Sequence, residues 1–227
     1  MSATLLFDMD GTLVDTDHLH FAAFQTILKP HGIEVDWATY RRFVMGKSNA
    51  MVGAKLFPHL PADRHEEILS AKEAEYRNLV DTLEPAAGLL DLLDWADQHG
   101  VAAAVVTNAP RESADHVLAA LSIRSRFRAV ITATEVTDPK PHPMPYLKGL
   151  ETLGGDVRRS VAFEDSNAGV SSAAAAGLPV VGIAPPPDDN DLRGHGASLL
   201  IQDYRDPMLM GFLRKHLRID KALETAS

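Results

Sequence analysis

The chain has no cysteine among its 227 residues, which excludes disulfides, thiolate catalysis and cysteine-based metal sites. Positive charge is also scarce: 22 Lys and Arg stand against 31 Asp and Glu, a formal net charge of −9. That balance argues against nucleic acid or an anionic membrane as partner, because either demands a basic face. No apolar run is long enough to span a bilayer, and no signal peptide or lipidation motif stands out, so a cytoplasmic location is the expectation. Internal repeats and low-complexity tracts are missing too. What remains, 45% hydrophobic and 23% charged, is the composition of a globular chain that can bury a full core. Oligomeric state is left open, and a monomer is compatible with this composition.

The most informative stretch is Leu5-Leu6-Phe7-Asp8-Met9-Asp10-Gly11-Thr12. A short apolar run of this kind reads as a buried strand. Side chains alternate along a strand, so Asp8 and Asp10 point the same way if the extended geometry persists past Phe7. Two neighbouring carboxylates repel unless they share a proton or a cation, which suggests a hard divalent ion such as Mg²⁺. Gly11 permits a sharp turn out of the sheet. The plainer alternative is a strand end carrying two solvated acids.

From Thr16 to Leu83 the pattern is helical. Leu19, Phe21, Phe24, Ile27 and Leu28 form an apolar face that stops at Lys29-Pro30-His31-Gly32. Asp36 is placed to cap a short helix through Phe43, Met45 to Asn49 reads as a loop, and Pro61 opens a charge-rich helix toward Leu79. From Glu84 onward helices alternate with short apolar runs: Val101–Val106, Val130-Ile131, Ser160–Phe163 and Pro179–Ile183. That alternation indicates a parallel sheet covered on both faces. The expected architecture is α/β, a Rossmann-like parallel sheet core of residues 1–15 and 85–227 with an inserted all-helical cap domain of residues 16–84. Pro185 to Asn190 reads as a surface loop.

Ligands of an open parallel sheet bind beyond the carboxyl ends of its strands, so the residues just past each strand are the ones placed for chemistry. Thr107 and Asn108 come after the second strand, as phosphate contacts or as caps of the next helix. Lys140 lies in Asp138-Pro139-Lys140-Pro141-His142-Pro143, where prolines stiffen the loop and reduce the entropy lost on engaging a ligand; a solvated lysine is the alternative. A second acidic pair, Glu164-Asp165, ends the next strand. Carboxylates converging on one sheet edge are unstable without a cation. Asp165 is the third metal ligand this reading favours, and Glu164 either joins it or orients the site.

Together these motifs strongly resemble the haloacid dehalogenase superfamily of phosphotransferases, in the subgroup with a small helical cap after the first strand. The similarity rests on the Asp-x-Asp-Gly-Thr opening, a Thr after the second core strand, a Lys-Pro loop and a Glu-Asp pair, in order along essentially the whole chain. It implies that Asp8 is the nucleophile forming an aspartyl-phosphate and that Asp10 is the general acid and base. It further implies Mg²⁺ held by Asp8, the Asp10 main-chain carbonyl and Asp165 with Glu164 nearby, and phosphoryl oxygens bound by Thr107, Asn108 and Lys140. The second aspartate favours a phosphate ester over C–halogen or C–P cleavage. An acidic chain that binds such an ester must concentrate positive charge locally, through the metal and a few lysines.

The cap decides the substrate. His20, in Asp15-Thr16-Asp17-His18-Leu19-His20-Phe21, fits a pattern of β-phosphoglucomutase-like members and also of plain sugar phosphatases; it either contacts substrate or packs the helix. Gly46-Lys47-Ser48-Asn49 looks like the loop that closes over the substrate, with Lys47 either a substrate contact or a solvated lysine. Mutase-like members carry an arginine for a second phosphate that, counted without gaps, falls at Asn49 here. The resemblance therefore implies a phosphatase for a small sugar phosphate or a phosphoglycolate-like ester. A phosphoglucomutase-like isomerase is the alternative, and a non-catalytic relative a third.

Overall fold

The computed structural model describes residues 2–80, 83–184 and 191–219. Its centre is β1 (Ser2–Phe7), whose residues from Ala3 onward are buried because both faces of the strand are covered. Leu5 and Phe7 face one apolar layer and Leu6 the other, as the two-residue period of a strand requires. On one side β1 pairs in parallel with β2 (Ala102–Val106), which pairs with β3 (Ala129–Ile131). On the other side it pairs with β4 (Gly155–Glu164), followed by β5 (Val180–Ile183) and β6 (Leu199–Ile201). The order is β3-β2-β1-β4-β5-β6, all parallel. The chain leaves β1 in one direction and later returns to its other side, so a crevice opens beyond the carboxyl ends of β1 and β4.

Between β1 and β2 the chain makes α1 (Asp17–Leu28), α2 (Trp37–Phe43), α3 (Asn49–Leu56), α4 (Ala62–Leu79) and α5 (Leu89–Gln98). Helices α1 to α4 share an apolar cluster of their own, with Phe24, Tyr40, Val52, Phe57 and Leu69 at its centre. Asp36 caps α2 by accepting from the Thr39 amide at 2.7 Å, as its position predicts. The remaining helices sandwich the sheet. α5, α6 (Arg111–Ala120) and α9 (Pro207–Leu217) cover the face of Leu5 and Phe7, while α7 (Met144–Leu153) and α8 (Asn167–Ala175) cover that of Leu6.

Four elements exceed the expectation. Asn49 begins α3 rather than ending a loop, β4 starts at Gly155 instead of Ser160, and β6 and α9 extend the sheet and its cover. β6 is three residues long, too short for its alternation to register as a pattern. The expected surface loop at residues 185–190 lies outside the described residues, as does the tail from residue 220. Among the described residues no helix is long and apolar enough to cross a membrane.

Candidate active site

The carboxyl ends of β1, β2 and β4 and the loop after β3 bring the candidate residues together. The regular strand stops at Phe7, and the chain turns so that the Gly11 amide donates to the Val14 carbonyl at 2.8 Å. Met9 nevertheless points into the core and both Asp8 and Asp10 line one cavity, so the alternation survives the turn. Gly11 sits at φ +77°, and a Cβ there would collide with the Asp165 carboxylate. Glycine is what allows the turn and the approach of the second acidic motif.

Asp8 belongs to a buried cluster on the core. Lys140, only 1% exposed, donates from Nζ to Asp8 Oδ1 and to Glu164 Oε1, each at 2.6 Å. Glu164 also accepts from the Tyr146 hydroxyl at 2.7 Å and from Ser166 Oγ at 3.2 Å, so it is held from three sides. Asp8, Glu164 and Asp165 each offer an oxygen within 4.8 Å of the others. Burial raises the Asp8 carboxyl well above the ordinary range, despite the opposing charge of Lys140. Asp165 is raised likewise, by burial and then by Asp8 and Glu164. Burial works against the Lys140 ammonium, but Asp8 and Glu164 outweigh it and push it up to about 12. Three carboxylates against one ammonium leave an excess of negative charge. This all-oxygen donor set fits a hard divalent cation.

Asp10 has a different set of partners, on the helical insertion. Its Oδ1 accepts from Thr16 Oγ1 at 2.5 Å, and Tyr76 Oη and His20 Nε2 lie at 3.4 and 3.3 Å. The two acids of the opening motif therefore do not share one carboxylate cluster: the Asp10 side chain is outside the group formed by Asp8, Glu164 and Asp165. Against the opposing effect of burial, His20, Thr16 and Lys72 hold its carboxyl below the ordinary range. His20 stacks on Tyr76, centroids 3.7 Å apart, and its Nδ1 lies 3.3 Å from Lys72 Nζ. Lys72 in turn donates to Glu73 Oε1 at 2.6 Å.

Residues 5–183 match the haloacid dehalogenase-like hydrolases. The chain belongs to that family. Protein CbbY of Rhodobacter capsulatus is 31% identical over 188 residues, 78% of this chain and 83% of that protein. Validoxylamine A 7'-phosphate phosphatase of Streptomyces hygroscopicus subsp. limoneus is 30% identical over 210 residues, 91% and 96% of the two chains. The solved structure of CbbY from Rhodobacter sphaeroides in complex with xylulose-(1,5)bisphosphate matches with a TM-score of 0.79 at 26% identity, covering 91% of this chain and 96% of that one.

Within this haloacid dehalogenase-like framework the structure places the sequence candidates unevenly. Asp8, Asp10, Asp165, Thr107, Asn108, His20, Gly46 and Lys47 all line the same cavity, with Lys140 and Glu164 behind Asp8. Neither Thr107 nor Asn108 caps α6, whose first flanking residue is Pro110. The Asn108 side chain is spent on backbone. Its Oδ1 accepts from the Lys140 amide at 3.1 Å, and its Nδ2 donates to the Lys140 and Gly46 carbonyls at 3.2 and 3.1 Å. Asn108 thus ties the lysine loop to the loop before α3, where a Cβ on Gly46 (φ +69°) would lie 2.5 Å from the Ser166 Cβ. Lys47 is half-buried, burial lowers its pKa, and its ammonium has no ion-pair partner among the described residues.

Sequence reasoning missed Thr16, Lys72, Glu73 and Tyr76. A signal existed in α4: Ile68, Leu69, Lys72, Glu73 and Tyr76 recur at helical spacing and are all buried. Two charges inside an apolar stripe are costly unless they serve a purpose, but the helix reads as charge-rich all round and the stripe is hidden by its neighbours.

Proposed function

We propose that the protein is a Mg²⁺-dependent phosphatase acting on a small phosphomonoester, of the sugar phosphate or phosphoglycolate kind, through an aspartyl-phosphate. Residues 16–84 serve as its all-helical cap over a core of 1–15 and 85–227. The observation that carries this reading is the separation of the two acids: Asp8 beside Lys140 in a buried acidic cluster, Asp10 in a hydrogen-bonded niche formed with cap residues. The phosphatase names among the relatives, such as validoxylamine A 7'-phosphate phosphatase, support it.

In this reading an Asp8 carboxylate oxygen attacks phosphorus as the ester P–O bond breaks, and Asp10, an anion in the free site that takes up a proton as the anionic ester binds beside it, gives that proton to the departing alkoxide. Asp10 then takes a proton from the water that attacks the acyl phosphate, which releases inorganic phosphate and restores Asp8. Asp8, Asp165 and the Asp10 carbonyl would hold Mg²⁺, which would supply the positive charge that lets a carboxylate approach an anionic phosphoryl group. Lys140 and the Thr107 hydroxyl meet the phosphoryl oxygens. Glu164 and Tyr146 orient Lys140, and Asn108 fixes its backbone. Lys47 contacts the ester beyond its phosphate, and His20 orients Asp10 from the cap.

The test is a panel of phosphomonoesters with Mg²⁺, following inorganic phosphate and isomerised product in the same tubes. Phosphate is the expected main product, and Asp8→Asn is expected to cut its release at least ~10³-fold with an unchanged circular dichroism spectrum. Release within tenfold of wild type by that variant would sink the aspartyl-phosphate. Glucose 6-phosphate formed from β-glucose 1-phosphate, with no phosphate released, would make the protein a mutase.

A further inference from the structure

The proposed hydrolysis leaves Glu73 without a task. It lies in α4 with 5% of its surface exposed and lines the cavity together with Lys72 and Asn49. Its Oε1 accepts from Lys72 Nζ at 2.6 Å and from Asn49 Nδ2 at 3.2 Å. Its Oε2 accepts from the hydroxyl of Ser113 on α6 at 2.8 Å. Burial opposes ionisation of this carboxyl, but Lys72 and His20 outweigh it and hold its pKa below the ordinary value, so it is an anion at neutral pH.

A buried carboxylate is a costly way to dock a helix, because a neutral side chain would accept the Ser113 hydrogen bond without the desolvation. What the charge adds is electrostatic. It cancels the charge of Lys72 and leaves that stretch of the cap wall neutral, with an ammonium and an amide held in place as donors. Such a surface suits hydroxyl groups, which both donate and accept. A second phosphate brought to it would find the Lys72 ammonium already neutralised and no net positive charge to offset its own desolvation, an unfavourable element of the kind specificity uses.

We infer that Glu73 is a specificity-determining residue: its carboxylate tethers Lys72 and Asn49 as a hydroxyl-reading wall and turns away esters that carry a second phosphate. The inference rests on the phosphatase reading. It concerns only which leaving group the cap accepts.

The test measures kcat/KM from phosphate release by the full-length enzyme with Mg²⁺ on three compounds. They are the best hexose monophosphate of the panel, its bisphosphate counterpart, and p-nitrophenyl phosphate, which lacks hydroxyls to reach the wall. Wild type is expected to favour the monophosphate over the bisphosphate by at least about tenfold. In Glu73→Gln, which keeps the shape and the acceptor for Ser113, that ratio should fall about tenfold while p-nitrophenyl phosphate stays within about twofold. Asn49→Arg sets a cation against the same carboxylate and should move the ratio the same way, which keeps the inference testable should the first variant not fold. A ratio that stays put in the folded variants overturns the inference. So does an equal loss on all three compounds, or a wild type that takes both hexose esters alike. No phosphate release from any of the three by wild type overturns the phosphatase reading itself.

Discussion

Two clusters of charge meet in one cavity, and they are balanced differently. On the core, Asp8, Glu164 and Asp165 surround the ammonium of Lys140, and burial leaves Asp8 and Asp165 with raised pKa values. In the helical insertion, Lys72 lies between His20 and Glu73, and the carboxyls of Glu73 and of Asp10 beside the insertion are held below their ordinary range. The first cluster sets three carboxylates around one ammonium. The second is compensated by its own residues. The proposed division of labour rests on this contrast. In that proposal the core edge supplies charge stabilisation for the phosphoryl group with the help of a cation, while the helical insertion reads what is attached to the phosphate.

The strongest way to break the comparison is to remove the ammonium of the core cluster. Lys140→Ala is expected to lower kcat ~10²–10³-fold. It should also destabilise the metal-free protein by ~3–5 kcal/mol, since breaking a buried pair leaves uncompensated charge, a loss read from chemical denaturation in EDTA. Next comes the metal. Saturating Mg²⁺ should raise the Tm of chelator-treated protein by about 5–10 °C at neutral pH, from ~2–3 kcal/mol of linkage spread over a chain of this size. The sign comes from the raised carboxyls: the folded state holds its protons more tightly than the unfolded one, so the cluster loses stability as pH rises through its titration. The Mg²⁺ shift should therefore shrink as pH falls and those carboxyls protonate. A shift that persists undiminished in acid would place the ion elsewhere.

The cap responds less. Lys47→Ala should raise KM for the true ester about three- to tenfold and leave a small aryl phosphate unaffected; equal losses on both would remove Lys47 from the specificity residues. The smallest effect has the opposite sign to that of the core. Glu73 has a lowered pKa, so it contributes stability above its unfolded value and loses it as pH falls through the folded one. The acid limb of the stability curve should thus be flatter in Glu73→Gln, by about 1 kcal/mol. An unchanged limb would mean that the Lys72–Glu73 pair contributes nothing net to stability.

Legibility in the sequence differs between the same two regions. Asp8, Lys140 and Glu164-Asp165 each stand at or after the end of a strand, and a strand is a short local pattern, so their convergence at one sheet edge is a consequence of parallel topology alone. Asn108 was legible as a site residue, but its use of both amide groups on the backbones of Lys140 and Gly46 was not, since residues 32 and 62 positions away supply the partners. Lys72 and Glu73 were missed because helical spacing says which face they share and nothing about what that face meets. The contact with Ser113 joins helices separated by 40 residues.

The α/β alternation, the strand-end acids, the lysine loop and the helical character of the insertion are all written in the amino-acid order, because each rests on periodicity, turn residues and spacing within a few positions. The separate partners of Asp8 and Asp10, the bracing role of Asn108, and the place of Lys72 and Glu73 in the cavity wall emerge only once the chain is folded. These depend on how two independently packed layers meet. Hydrogen-bond geometry and desolvation at such a meeting arise from distances between residues far apart in the chain, which no local pattern encodes.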